Sequence, residues 1–303
     1  MERDESLGLE ARQVQKIATD IQNDQSLADI SYLPSSSFMG HGPFLRYLIR
    51  ETSPSLFVEL GTDKGFSYFT ACQAFSDFKI PGLCFAVDDW IGDVHVGLHP
   101  VEVFDQVSSR NQKYQEFSTL LKMDFDEALS RFNDESIELL IIDGTHTYEA
   151  VKKDFENWLP KMSQNGVILF HDIHVRIKPF GVIRLWEEIK AKFSSLEFVN
   201  QYGLGVIFLD GTKSLALNDL IKIASGENWN DVEAAFAFHG SKVVDSLQGQ
   251  HSELQGQHSE LQGQHSELQG QHSELQGQHN QILESEVWKL TFPLRKVLHF
   301  LRR

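Results

Sequence analysis

Cysteine is nearly absent: the 303-residue chain has two, Cys72 and Cys84. Two cysteines make no disulfide framework, and one falls in a predicted helix and the other in a predicted strand, where a small thiol packs like an apolar side chain. Basic residues are also few, with 27 Lys and Arg against 43 Asp and Glu and a formal net charge of −16. Such a surface repels polyanions, so nucleic acid is not an expected partner. No stretch reaches the run of about 18 apolar residues that a membrane span needs, and the charged first residues show no apolar signal core. A cytoplasmic location is therefore expected.

What is present changes character along the chain. Residues 7–27 read as a polar surface helix, and the loop Pro34-Ser35-Ser36-Ser37 leads to a short helix through Phe44 and Ile49. From Ser55 onward, short apolar runs alternate with amphipathic stretches. Strands are expected at 56–60, 84–87, 119–123, 137–142, 167–170, 198–201 and 205–209, with helices at 68–75, 101–114, 125–132, 148–162 and 182–193. This alternation implies a parallel sheet covered on both faces, and the short Tyr202-Gly203-Leu204 link makes the last two strands an antiparallel hairpin. The expected divisions are 1–54 as N-terminal helices capping the substrate site, 55–212 as an α/β core, 213–245 as a helical extension, 246–284 as a repeat and 285–303 as a basic tail.

From Leu247 the unit Leu-Gln-Gly-Gln-His-Ser-Glu recurs unchanged through Glu274. A period of seven is the coiled-coil period. With Leu254, Leu261, Leu268 and Leu275 at d, His251, His258, His265 and His272 fall at a, so the seam is half polar. Glycine at the outer f position weakens each heptad by about 1 kcal/mol relative to alanine. A homo-oligomeric coil is expected, with a flexible low-complexity linker as the alternative.

Three clusters carry chemistry. The first is Glu59-x-Gly61-x-x-x-Gly65, where a strand turns into a helix. Its glycines let a ligand approach the backbone beside unpaired helix N–H groups, although any tight turn of this kind favours glycine. Neither a phosphate-loop ending nor G-x-G-x-x-G is present, and Glu59 suits a ligand with a positive group. The second is Asp88-Asp89-Trp90 at the tip of strand two, where α/β nucleotide binders hold ribose hydroxyls; Asp88 is the favoured ligand, and helix capping would use the same residues. The third joins Asp143-Gly144-Thr145-His146 to His171-Asp172 at two further strand ends. Its oxygens suit Mg²⁺ or Mn²⁺ and its imidazole suits proton abstraction, while capping remains an equal alternative.

Together these motifs, from Phe57 to about Phe208, resemble the bacterial class I methyltransferases grouped with macrolide-sugar O-methyltransferases and cephalosporin-hydroxylase-type enzymes. Further matches are Trp90-x-Gly92-Asp93-x-His95-x-Gly97, Tyr148 and Val151, and Arg176, Gly181 and Trp186. The resemblance implies a Rossmann-like, seven-stranded methyltransferase sheet. It implies S-adenosylmethionine bound by Glu59, Gly61, Thr62, Gly65, Ser67, Asp88, Asp89 and Trp90, a divalent cation held by Asp143, His171 and Asp172, and His146 as general base working with Asp143. Where the sugar methyltransferases carry a carboxylate before the second metal Asp, this chain has His171.

The ending Ser285-x-x-Trp288-Lys289-Leu290-Thr291-x-Pro293-Leu294-Arg295 is similar to the tails of glycosyltransferases and methyltransferases of bacterial surface-polysaccharide assembly. It implies O-methylation of a sugar or glycan acceptor, glycosyltransferase partners, and a basic amphipathic tail docked on the inner face of the cell membrane. The rival readings are a catalytically silent scaffold of a membrane-proximal glycan assembly and a methyltransferase of another small hydroxylated metabolite. An oxygenase is disfavoured, because no His-x-Asp…His iron triad is evident.

Overall fold

The computed structural model describes residues 2–301 except 94–96, 211–213, 225 and 227. His95 of the resemblance and the last two arginines lie outside the described residues. The chain divides into two compact units, the first ending at Leu247 and the second starting at Gln248.

The first unit opens with α1 (Glu2–Asn23) and α2 (Gly42–Thr52), followed by β1 (Leu56–Leu60), α3 (Phe66–Asp77) and β2 (Leu83–Asp88). A two-stranded ribbon, β3 (Gly92–Asp93) and β4 (Gly97–Leu98), precedes α4 (Val101–Asn111), β5 (Ser118–Lys122), α5 (Phe125–Ala128) and β6 (Ile137–Ile142). Then come α6 (Tyr148–Trp158), β7 (Met162–His171), α7 (Val182–Ile189), β8 (Ser194–Phe198), β9 (Leu204–Phe208) and α8 (Leu215–Ala224). The helix α9 (Trp229–Glu284) starts in this unit and continues through the heptad repeat, and α10 (Glu286–Leu301) follows.

Seven strands form one sheet in the order β5-β2-β1-β6-β7-β9-β8. Strands β1, β2, β5, β6 and β7 run parallel, and β9 is antiparallel to both β7 and β8. The expected α/β sheet with five parallel strands and a terminal antiparallel pair is therefore present. Because alternate side chains leave a strand on opposite faces, each face packs its own core. Phe57, Leu139 and Leu169 join one core with α2, α3 and the start of α9, while Val58, Leu140 and Phe170 join the other with α6 and α7.

Some boundaries differ from the sequence reading. The strand expected at 198–201 lies at Ser194–Phe198, and the preceding helix stops at Ile189 rather than at 193. Pairing decides this: Ser194 to Phe198 is the segment in register with Phe208 to Leu204. The intervening loop then contains Gln201 and Tyr202 in the left-handed region and Gly203 at φ 90°, a turn that composition alone places two residues too late. Three expected helices end early in 3₁₀ turns, after Asn111, Ala128 and Trp158. The N-terminal helices and the 215–247 segment share one hydrophobic core with the sheet, through Val14, Ile21, Val232 and Phe236.

The second unit is helical. The repeat is helical throughout, with intrahelical Gln–His and Gln–Glu hydrogen bonds four residues apart. Among the described residues, no helix is long and apolar enough to cross a membrane.

Candidate active site

The carboxyl ends of β1, β2 and β6 lie side by side because those strands pair directly. The loops that follow them wall a cavity of about 300 Å³, lined by Gly61, Asp63, Asp88, Asp89, His99, Asp124, Asp126, Asp143, Thr145, His146 and Asp154 among others. An open parallel sheet places its ligand in such a crevice.

The β1 loop is shaped for close approach. Gly61 has φ 86° and hydrogen-bonds by its N–H to the Val87 carbonyl, and a Cβ there would stand 2.2 Å from the Asp143 carbonyl oxygen. Gly65, at φ 81°, begins α3. Asp88 is tied to this loop: one carboxylate oxygen accepts the N–H groups of Thr62 at 2.8 Å and Asp63 at 3.0 Å, and the other accepts that of Trp90 at 2.7 Å. Burial nevertheless raises its carboxyl above the ordinary range. Asp88 thus lines the cavity while holding the β1 and β2 loops together. Trp90 lies beneath the wall, its indole N–H donating to the Asp63 carbonyl at 2.9 Å and its ring against Phe104.

Glu59 shares the strand face of Phe57 and is fully buried. Burial drives its carboxyl well above the usual range, and the nearby Ser67 and Thr62 hydroxyls only temper this. Glu59 and the buried Thr62 and Ser67 are not among the residues that line the cavity, whereas several aspartates are. Asp89 does line the wall, and its carboxylate also accepts the Ile91 N–H at 2.8 Å.

The third cluster assembles from two strand ends. His146 Nε2 lies 3.2 Å from Asp143 Oδ1 and 3.0 Å from Asp172 Oδ2. Burial opposes a charge on His146, but the two carboxylates outweigh it and push the imidazole up to about 10. In this arrangement the ring holds its proton, and acting as a base requires that one carboxylate be drawn off. Asp143 is partly buried, which opposes its charge, yet its imidazole neighbours hold it well below the carboxylate range. Phe180 stacks on His146 at 4.8 Å, and the Gly181 N–H donates to the His146 carbonyl at 2.7 Å.

His171 leaves β7 on the same face as Leu169. It is buried against Phe38 and His41, with Nδ1 3.3 Å from both Asp143 Oδ1 and Asp172 Oδ1. Asp143, His146 and Asp172 offer ligand atoms within 4.8 Å of one another. Two carboxylates with imidazole suit a borderline cation such as Mn²⁺ better than Mg²⁺, which prefers oxygen alone. His171 reaches the two carboxylates of this trio through Nδ1.

Several wall residues escaped the sequence reading. Asp124 and Asp126 follow β5 and carry the same strand-end signal that singled out Asp88 and Asp143. His99, with Nε2 3.2 Å from Asp63 Oδ1, and Asp154, on α6, carried no local signal at all. Burial, reinforced by Asp126, pushes the Asp154 carboxyl up to about 7.

Sheet order and crevice together describe an α/β domain with a ligand cavity at the carboxyl ends of its parallel strands. Residues 58–173 match the model of a methyltransferase-domain family. That match covers less than half of the chain. The chain is 47% identical over 175 residues, 58% of its length, to the uncharacterized protein y4gI of Sinorhizobium fredii. It spans only 19% of the length of that curated relative. Similar solved structures include the O-methyltransferase TomG of Streptomyces achromogenes, in complex with SAM (14% identity, 65% of this chain and 90% of that one, TM-score 0.44). A putative caffeoyl-CoA O-methyltransferase of Staphylococcus aureus is another (13%, 63% and 91%, TM-score 0.43). Likenesses this distant carry no argument about this chain.

Proposed function

We propose that the chain is an O-methyltransferase that moves the methyl group of S-adenosylmethionine to a hydroxyl of a sugar or glycan, in the assembly of a bacterial surface polysaccharide. The observation that carries the chemistry is the apposition of an aspartate-walled crevice and His146 within one cavity. An acidic wall favours a sulfonium and ammonium ligand, and the bare Gly61 backbone leaves room for it. When bound, S-adenosylmethionine supplies an electrophilic methyl group. The residues of this chain do the rest. The loop held by Asp88 shapes the donor side and Asp143 and Asp172 orient the ring of His146; once one of these carboxylates is drawn off and the ring has given up its proton, the hydroxyl proton passes to His146 as the oxygen bonds to the methyl carbon and the methyl–sulfur bond breaks, leaving S-adenosylhomocysteine.

Asp143 and Asp172 are the residues that would hold a divalent cation, which would polarise the acceptor hydroxyl and compete for the carboxylates that charge His146. The polysaccharide reading draws its support from the tail motif. The apolar side chains Val287, Leu290 and Leu294 of α10 stand exposed, and the basic residues among them suit contact with an anionic membrane surface or a glycosyltransferase.

The test is methyl transfer by the purified chain to a panel of nucleotide sugars and oligosaccharides, read by mass spectrometry as the gain of one methylene per acceptor. His146→Gln should retain S-adenosylmethionine binding by calorimetry and lose turnover by about 100-fold or more. Turnover unaffected in His146→Gln would refute the base. Cofactor bound with no acceptor methylated would favour the scaffold reading.

A further inference from the structure

Along α9, the repeat leucines Leu254, Leu261, Leu268 and Leu275 stand 62–63% exposed, seven residues apart. Ile282 continues the series at 54%. His251, His258, His265, His272 and His279 each precede one of these side chains by three residues and share their stripe. A straight helix of 3.6 residues per turn drifts by about 20° per heptad from a seven-residue stripe, so the stripe stays on one face only when helices wind around each other. Glycine at every f position weakens the lone helix, which leaves pairing as the main source of its stability.

We infer that this stripe is a self-association surface whose occupant is the same stripe of a second copy of this chain, in a parallel, in-register, two-stranded coil. The flanking e and g positions are glutamines, such as Gln255 and Gln257. They place no like charges across a homotypic seam and offer a charged partner nothing to recognise. The one acidic residue of each heptad, such as Glu253, sits at c, away from the seam.

Direction follows from the histidines. In a parallel pair, a faces a, and two imidazoles can donate and accept between themselves. An antiparallel pair sets each imidazole against leucine and leaves a buried polar group unmatched. A two-stranded coil also leaves the polar a layer nearer water than a larger bundle does. Register follows from length, because a slip of seven residues keeps the chemistry identical but gives up one apolar layer. Ten a and d side chains per strand, burying roughly 60–120 Å² each, reach the roughly 1,200 Å² total of a stable interface.

Sedimentation velocity of the full chain at micromolar concentration tests this. The expected species has twice the 34.6 kDa chain mass, and Leu254→Glu, Leu261→Glu, Leu268→Glu and Leu275→Glu combined should return it to the monomer. Because Cys72 and Cys84 are buried, Leu268→Cys should add an oxidative cross-link between chains that the parent lacks. A monomeric parent, or a dimer that survives the four glutamates, overturns the surface. A dimer without the Leu268→Cys cross-link overturns the parallel register, and a larger oligomer overturns the two-stranded form.

Discussion

One added methyl group at Gly61 probes most of the site at once. In Gly61→Ala the new Cβ would lie 2.2 Å from the Asp143 carbonyl oxygen, 2.6 Å from its carbon and 2.9 Å from Gly144 Cα. All three are backbone atoms, so no rotamer relieves the overlap. The residue must also keep φ 86°, which costs an L-residue about 1–2 kcal/mol. Prising the β1 and β6 loops apart adds about 1–3 kcal/mol, by analogy with overpacked cores. Gly97 is the control, since its φ is 78° but a Cβ there meets nothing within 4 Å. Gly97→Ala should therefore carry only the backbone cost, and the difference between the two variants in urea unfolding should be about 1–3 kcal/mol. Calorimetry with S-adenosylhomocysteine should show Gly61→Ala weakened by at least about tenfold, equivalent to 1.4 kcal/mol. If Gly61→Ala costs no more than Gly97→Ala and binds as tightly as the parent, the two strand ends are not closely apposed and the cavity is not the cofactor site.

Asp154, with its carboxyl pushed up to about 7 by burial and Asp126, predicts a pH effect. Between the unfolded value of about 3.9 and the folded one, the folded state keeps a proton that the unfolded state has released, so this group's contribution to stability falls as pH rises and levels off above 7. Asp154→Asn should thus gain about 2–3 kcal/mol relative to the parent on going from pH 5 to pH 8; an equal difference at both pH values would mean that Asp154 ionises normally in the fold. The Phe180 ring on His146 predicts that Phe180→Ala lowers kcat about tenfold with KM for the methyl donor little changed, and that Phe180→Tyr restores it. A change in KM alone would make Phe180 a binding residue.

The alternation of apolar runs with amphipathic stretches was enough to read the parallel sheet and its antiparallel close, because period two and period 3.6 are local properties of the chain. That glycines 61 and 65 and aspartates 88 and 143 sit at strand ends was legible for a similar reason: strand ends are local, and a turn there advertises its needs in one or two residues. The heptad repeat and the apolar stripe it sets on a helix were equally plain.

Tertiary structure decided what those residues do. Residues 143 and 172 meet at His146 only because β6 and β7 pair in register, a relation between segments nearly thirty positions apart. The Asp88 carboxylate is tied to backbone N–H groups of the β1 loop because β2 lies beside β1, and Glu59 is kept out of the cavity lining by the face on which it leaves its strand. His171 turns inward to Phe38 and His41, two residues from a segment with no local sign of lying there. Asp154 looks like any acidic residue on a solvated helix until the fold buries it against Asp126. Local pattern determines which elements form, but the electrostatics of a buried site depend on distances between distant segments, which only the packed sheet sets.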